Sequence, residues 1–261
     1  MVGVRPRRER IGTEDRFMGN SLFYNLGRKV GPKVRKARWV WGSMTGTEAD
    51  TIRLERGVGV DLAQEARKQL QADPDPAMSG ALDRVGSRLA ERVTNKLRTF
   101  HFEAFLAGEP NAFALPGGFI FVSRSIVDLC QWDDNEIAFI LAHEMGHVIK
   151  RHAIERIVTN SAISVASRAT PARGVLGPWL QRVGIQFLET AYSRDHELEA
   201  DRLGVRLVGA ASYDPRASIE LFTRLAKLKA APDPLNLGEY FSTHPTFDIR
   251  INNIRRFLQC Q

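Results

Sequence analysis

The sequence predicts an α+β fold that is mainly α-helical, with a small β-sheet in the middle of the chain. Amphipathic helical patterns flank a β-rich stretch between residues 100 and 122, and a length of 261 residues suits one substantial domain. The composition, 43% hydrophobic and 26% charged, is that of an ordinary globular protein and argues against disorder, collagen or a coiled coil.

The net charge of +7 lies in an N-terminal arm. Residues 1–45 hold 11 Lys and Arg against 3 Asp and Glu, and the remainder of the chain is almost neutral. We therefore predict three parts: a basic arm at 1–45, a helical lead-in at 46–77 and a domain at 78–261. Trp39 and Trp41 follow a basic run in the arm. The arm is either a strap or self-association segment, or a contact for anionic membranes, with nucleic acid the less favoured partner.

The elements follow in order along the chain. Helices are predicted over 48–71, which the prolines of ADPDPA close, and over 78–98, where apolar residues from Leu82 to Leu97 recur at helical spacing. FHFEAFL predicts a strand, and NAFALPGGFIFV predicts a bend followed by a second strand, because Pro-Gly-Gly cannot continue a helix. Later helices are predicted over 134–158, 183–208 and 215–227, with a short one at the C-terminus.

The strongest chemical signal is H-E-x-x-H at residues 143–147. Histidines at i and i+4 lie on one face of a helix, so that His143 and His147 can share one tetrahedral metal ion. Glu144 is offset from that face and can reach a metal-bound water without being a ligand.

A catalytic zinc also needs a third protein ligand. The extended motif H-E-x-x-H-x-x-G-x-x-H is excluded, because its last two positions are Lys150 and Ala153. His152 is nine residues from His143, about half a turn round a continuous helix, and is excluded as well. The third ligand must come from another segment.

Residues 193–201, SRDHELEAD, offer that ligand in a second helical stretch. Glu197 and Asp201 share one helix face, which would let Glu197 bind the metal while Asp201 receives the outer N–H of a ligand histidine. Taken alone, a solvated acidic face is the more common origin of such a pattern. The small Ala200 would let two helices approach.

Together these motifs resemble the M48 zinc metallopeptidases, the gluzincin group that includes HtpX-like proteases, CAAX prenyl proteases and a mitochondrial inner-membrane stress protease. The resemblance covers about residues 78–258 and rests on four ordered motifs: H-E-x-x-H at 143–147, S-R-x-x-E-x-E-A-D at 193–201, N-A-F-A-L-P-G-G at 111–118, and S-T-H-P at 242–245 with R-I at 250–251. It implies a zincin-like (gluzincin) metalloprotease domain with a small sheet beside the H-E-x-x-H helix. The implied activity is a zinc-dependent endopeptidase that uses a Glu-activated, zinc-bound water, with a role in protein quality control.

The resemblance also implies a role for each site residue. One Zn²⁺ per chain would be held by His143, His147 and Glu197, and Glu144 would be the general base. His244 would stabilise the oxyanion of the tetrahedral intermediate.

Further positions are implied around that centre. Asp201 would support a ligand histidine, and Arg250 would lie close to it. The segment beside the cleft, against which an unfolded or extended polypeptide is laid, would comprise Asn111, Ala112, Phe113, Ala114, Gly117 and Gly118. The following apolar strand, 119–122, either binds the substrate backbone by strand addition or is core, and the sequence favours neither.

The sequence favours a cytoplasmic or membrane-peripheral protein. It has only two cysteines, the basic start is not followed by an apolar stretch, and no run of 18 apolar residues occurs. A periplasmic location stays open if the start is misassigned. The alternative function is an anionic-surface binding protein that uses the arm and has latent or lost protease activity. The sequence does not indicate an oligomeric state.

Overall fold

A computed structural model describes residues 47–155, 192–229 and 247–260. Within these ranges seven α-helices and one four-stranded sheet have both ends defined, and residues 152–155 are also helical. The helices are α1 Glu48–Gln69, α2 Pro76–Ala90, α3 Arg124–Leu129, α4 Asp134–Ile149, α5 Arg194–Ala210, α6 Ala217–Lys229 and α7 Phe247–Gln259. The strands are β1 Gln71–Ala72, β2 His101–Leu106, β3 Ala112–Leu115 and β4 Phe119–Ser123. The predicted α+β, mainly helical fold class is confirmed.

The sheet has the order β1-β2-β4-β3. β2 and β4 are parallel, and the two outer pairs are antiparallel. Successive side chains of a strand point to opposite faces. Ile120 and Val122 accordingly join the core formed with α4 and the other C-terminal helices, whereas Phe119 and Phe121 join a second core under α1. The sheet thus lies between the lead-in helix and the H-E-x-x-H helix.

The lead-in helix α1 begins with a capping box, in which Thr47 and Asp50 each bind the other's backbone amide. It packs directly on the turn Pro116–Gly118 between β3 and β4. A Cβ atom on Gly59 would lie 1.7 Å from the carbonyl oxygen of Pro116, so this contact requires glycine. The turn itself passes through the left-handed region at Gly117, with φ of 79°.

Two predicted helices are shorter than the periodicity indicated. The helix predicted over 78–98 ends at Ala90, and Leu97, assigned to its apolar stripe, is 57% exposed. The helix predicted over 134–158 ends at Ile149, followed by Arg151 at φ of 63°. The short α3 was not predicted, and residues 183–191 of the next predicted helix lie outside the described ranges. None of the described helices is both long and apolar enough to cross a membrane.

Candidate metal centre

The two histidines of the H-E-x-x-H motif lie on α4 in the centre of the protein. The carboxylate of Asp133 caps this helix by accepting hydrogen bonds from the amides of Asn135 and Glu136. Both imidazoles are buried, and the four-residue spacing brings the Nε2 atoms of His143 and His147 to 3.1 Å. Two ring nitrogens therefore face the same small volume.

Helix α5 crosses α4 at backbone contact. A Cβ atom on Gly146 would lie only 3.0 Å from the carbonyl oxygen of Ala200, and one on Gly204 would lie 3.2 Å from the amide nitrogen of His143. Small residues at the crossing thus let α5 place its acidic face against the two histidines.

Glu197 of α5 completes a group of three donors. Its Oε1 lies 3.3 Å from Nε2 of His147, and its Oε2 lies 3.7 Å from Nε2 of His143. These distances and the 3.1 Å between the nitrogens are close to the edge of about 3.3 Å expected for a tetrahedron with metal–ligand bonds of about 2.0–2.1 Å. The donor set therefore fits a divalent metal ion with two nitrogen ligands and one oxygen ligand.

The other ring nitrogen of His143 is supported by Asp201. Its Nδ1 lies 3.0 Å from Oδ1 of Asp201, an arrangement in which an N–H on Nδ1 can donate to Asp201 while Nε2 faces the other two donors. Arg250 of α7 binds the same carboxylate through Nε and Nη2, at 2.8 and 2.6 Å. Burial raises the pKa of Asp201, but the charge and hydrogen bonds of Arg250, together with the hydrogen bond of His143, outweigh it and the net shift is downward. Asp201 is therefore ionised at neutral pH.

The buried charges of the centre favour a cation. Three carboxylates, those of Glu144, Glu197 and Asp201, are at most 1% exposed, and Arg250, which is 0% exposed, makes ion pairs with Glu197 and Asp201. Its Nη1 lies 2.9 Å from Oε2 of Glu197. Three carboxylates and one guanidinium give these side chains a formal charge of −2. A divalent ion would neutralise this charge, as burial of charge requires.

His152, which sequence reasoning set aside, contacts the second histidine of the motif. α4 ends at Ile149, and the left-handed residue Arg151 separates it from a further helical stretch that begins at His152. Nδ1 of His152 lies 2.9 Å from Nδ1 of His147. Burial lowers the pKa of His152 against the opposing hydrogen bond to Glu199, and the ring is neutral at pH 7. A continuous α4 would have placed His152 on the helix face opposite His143. The helix break at Arg151 could not be predicted, because no glycine or proline in the sequence marks it.

The predicted substrate segment forms the edge of the sheet nearest the donors. Among the strands that the structure describes, β3 pairs with β4 alone. Its end lines a small cavity of about 10 Å³ together with Pro116, His147 and Tyr192. The Tyr192 ring stacks on His147 with centroids 3.9 Å apart. Asn111, Ala112 and Ala114 are buried, whereas Phe113 and Gly117 are partly exposed; Gly118 is buried against Thr99.

The strand-addition hypothesis for residues 119–122 is wrong. β4 lies between β2 and β3 and is hydrogen-bonded to both, so it has no edge for a peptide. Its side chains fill the two cores, which is the alternative role that the sequence left open.

Two parts of the sequence prediction lie outside the described residues. His244, predicted to stabilise the oxyanion, falls between 230 and 246, and the basic arm falls within 1–46. The predicted roles of both stay predictions, as do the boundaries of the three predicted parts.

Comparison with known proteins agrees with this geometry. The model of the family described as Peptidase family M48 matches residues 76–258. The mitochondrial metalloendopeptidase OMA1 of Saccharomyces cerevisiae is 29% identical over 265 residues, covering 93% of this chain and 72% of the relative. The same-named protein of Schizosaccharomyces pombe is 28% identical, covering 93% and 80%. The beta-barrel assembly-enhancing protease of Yersinia pestis is 26% identical, covering 78% of this chain and 44% of the relative.

Proposed function

Because the chain belongs to peptidase family M48 and is a metalloendopeptidase, we propose that its metal is one zinc ion held by His143, His147 and Glu197. The convergence of three donor atoms from α4 and α5 within 4.8 Å of one another carries this proposal. Two histidines and one glutamate are a ligand set used by catalytic zinc sites, which keep a fourth position for water or substrate.

Each residue of the centre then has a chemical task. A zinc ion in this site would supply Lewis-acid polarisation of the scissile carbonyl and would lower the pKa of water. Glu144, one position beyond His143 and buried beside it, would take a proton from the attacking water and deliver it to the leaving amine. Asp201 would hold the proton of His143 on Nδ1, and Arg250 would keep the Asp201 and Glu197 carboxylates in place. His244 would donate to the developing oxyanion.

The substrate is proposed to be an unfolded or extended polypeptide lying along β3. An edge strand offers unpaired backbone groups to a peptide that adds as a further strand, and the end of β3 borders the ligand His147. Within the proposed segment, Asn111 to Ala114 would supply that backbone, and Gly117 and Gly118 would shape the turn that follows. Recognition of this kind reads backbone more than side chains, which suits a protease of protein quality control.

The decisive experiment is Glu144→Gln. This variant keeps the shape of the side chain but removes the base, so casein cleavage should fall by about 10²- to 10⁴-fold while the zinc content stays at one per chain. Glu220→Gln, an exposed substitution on α6, is the matched control and should cleave like the parent. Full activity of Glu144→Gln would refute the assigned mechanism. A full zinc complement in His147→Ala would separately refute the ligand set.

The arm and the compartment are part of the same proposal. The names of the relatives, one mitochondrial and one concerned with beta-barrel assembly, support a place at a membrane rather than in the cytoplasm. The basic run ending at Arg38 would hold the enzyme at an anionic surface, adding to proteolysis rather than replacing it. Glutamine substitutions for the basic residues from 28 to 38 should abolish co-sedimentation with anionic liposomes and leave casein cleavage in solution unchanged. Undiminished sedimentation would contradict a membrane role for the arm.

A further inference from the structure

The two histidines of the proposed zinc site receive different support at their outer ring nitrogens. Nδ1 of His143 faces the carboxylate of Asp201 directly, at 3.0 Å. Nδ1 of His147 faces a second imidazole instead, that of His152, at 2.9 Å. The opposite nitrogen of His152, Nε2, lies 3.1 Å from Oε2 of Glu199. His143 is thus supported directly by the carboxylate of Asp201, whereas His147 is connected to the carboxylate of Glu199 through the ring of His152.

The hydrogen-bond directions in this network follow from zinc binding at Nε2 of His147, the atom that lies 3.3 Å from Oε1 of Glu197. With Nε2 bound to zinc, the neutral ring carries its proton on Nδ1 and donates it to His152. Nδ1 of His152 must then accept, which places the proton of His152 on Nε2. That N–H donates to Glu199, whose other oxygen accepts from the ammonium of Lys150 at 2.6 Å. In this network, the N–H of each imidazole therefore donates to an acceptor.

The surroundings hold His152 in this position. Its side chain is 1% exposed, and its ring stacks on His196 with centroids 4.2 Å apart and an interplanar angle of 14°. The left-handed residue Arg151, which precedes His152, makes an ion pair with Glu55 of α1. Burial, stacking and two hydrogen bonds therefore restrain the ring.

We propose that His152, backed by Glu199, is a positioning residue that fixes the proton and the ring orientation of the zinc ligand His147. This inference rests on the proposed function, since it assumes that His147 binds zinc through Nε2. His152 itself does not reach the metal, because its nitrogens are committed to His147 and Glu199. Its effect is on how tightly and in what geometry the metal is held.

The test compares two substitutions of His152. His152→Phe keeps a ring of similar size but removes the acceptor, and its zinc affinity, measured by competition with a chromophoric chelator, should fall by about 10- to 100-fold. His152→Asn keeps a polar atom near the position of Nδ1 and should recover most of that loss. The visible d–d spectrum of the Co²⁺-substituted protein should change in His152→Phe and resemble that of the parent in His152→Asn.

Two further variants keep the test decisive. His196→Phe preserves the stacked ring but contacts neither His147 nor Glu199 through a hydrogen bond, so its zinc affinity should equal that of the parent. Glu199→Leu removes the carboxylate at a partly exposed position and should weaken zinc binding by about tenfold. It serves in place of His152→Phe if thermal unfolding shows that the latter does not fold.

Unchanged zinc affinity and an unchanged Co²⁺ spectrum in folded His152→Phe, or in Glu199→Leu, would overturn the proposal. Equal losses in His152→Phe and His152→Asn would also overturn it, since packing alone would then explain the effect. Failure of the proposed function would look different, because the parent itself would bind no zinc or Glu144→Gln would remain active.

Discussion

Replacing Arg250 with methionine tests whether the buried guanidinium holds the carboxylates of the metal centre together. Its side chain is fully buried and makes ion pairs with Asp201 at 2.6 Å and with Glu197 at 2.9 Å. Removing one partner of a buried ion pair costs about 3–5 kcal/mol, because the remaining charge is left uncompensated. Methionine fills much of the volume and keeps the contact with Phe222, over whose ring the guanidinium lies at 4.2 Å. The expected loss is therefore electrostatic.

For a domain of this size, a loss of that magnitude lowers the midpoint of thermal unfolding by about 6–20 °C. The measurement is thermal and urea unfolding of the metal-free protein, with chelator present so that metal binding does not mask the difference. Arg256→Met, an exposed substitution on the same helix, is the control and should change stability by no more than about 0.5 kcal/mol.

A double variant separates charge from packing. Adding Asp201→Asn to Arg250→Met neutralises one carboxylate left behind, so the double variant should be more stable than Arg250→Met alone, by about 1 kcal/mol or more. If Arg250→Met costs under about 1 kcal/mol, or if Asp201→Asn destabilises it further, then the charge argument for the centre is refuted.

Three further predictions test the elements around the site. Gly146→Leu should cost about 1–3 kcal/mol and weaken metal binding, because its side chain meets the backbone of Ala200; unaltered chelator competition would contradict this. Asp73→Asn should cost about 1.5–3 kcal/mol near pH 7, since it loses the charged hydrogen bonds of Arg124. Those hydrogen bonds lower the pKa of Asp73, so the parent's advantage exists above the unfolded pKa of about 3.9 and is lost as pH falls below it; a difference in urea midpoint that does not shrink with acid would count against the pairing. Glu55→Leu should cost about 3–5 kcal/mol by stranding a buried arginine, and a thermal midpoint equal to the parent's would exclude that role.

The parts of the site that the sequence predicted are those fixed by local geometry. Two histidines four residues apart on a helix must share a face, and Glu197 and Asp201 repeat that spacing on a second helix. Their meeting is a tertiary event, which was inferred from the resemblance and from the small residue Ala200 between them. The structure brings the histidine nitrogens to between 3.0 and 3.7 Å from the carboxylate oxygens of Glu197 and Asp201.

The parts that were missed depend on contacts between distant segments. Apolar periodicity continued the second helix to residue 98, but the chain leaves the helix after Ala90 and Asn95 binds the side chain of Glu48 instead. The strand order was equally hidden, because a continuous apolar run such as 119–122 does not indicate which strands lie beside it. The sequence of residues 119–122 therefore fits a peptide-binding edge strand and a core strand equally well. The pairing of β4 with both β2 and β3 shows that it is a core strand.

At the end of the H-E-x-x-H helix, contacts with the distant helix α1 lie next to a residue that touches a proposed zinc ligand. Glu55 of α1 accepts from Arg151 at one oxygen and from Arg98 at the other, at 2.5 and 3.0 Å, and its side chain is 2% exposed. This ion-pair group stabilises Arg151 in a left-handed conformation that a residue with a long side chain rarely adopts. The next residue is His152, whose Nδ1 contacts Nδ1 of His147. The lead-in helix α1 ends before the matched residues 76–258 begin. It nevertheless contacts Arg151 through Glu55, and the next residue, His152, contacts the proposed zinc ligand His147. A domain cut at residue 76 would therefore keep every motif of the site and lose the contact that orients part of it.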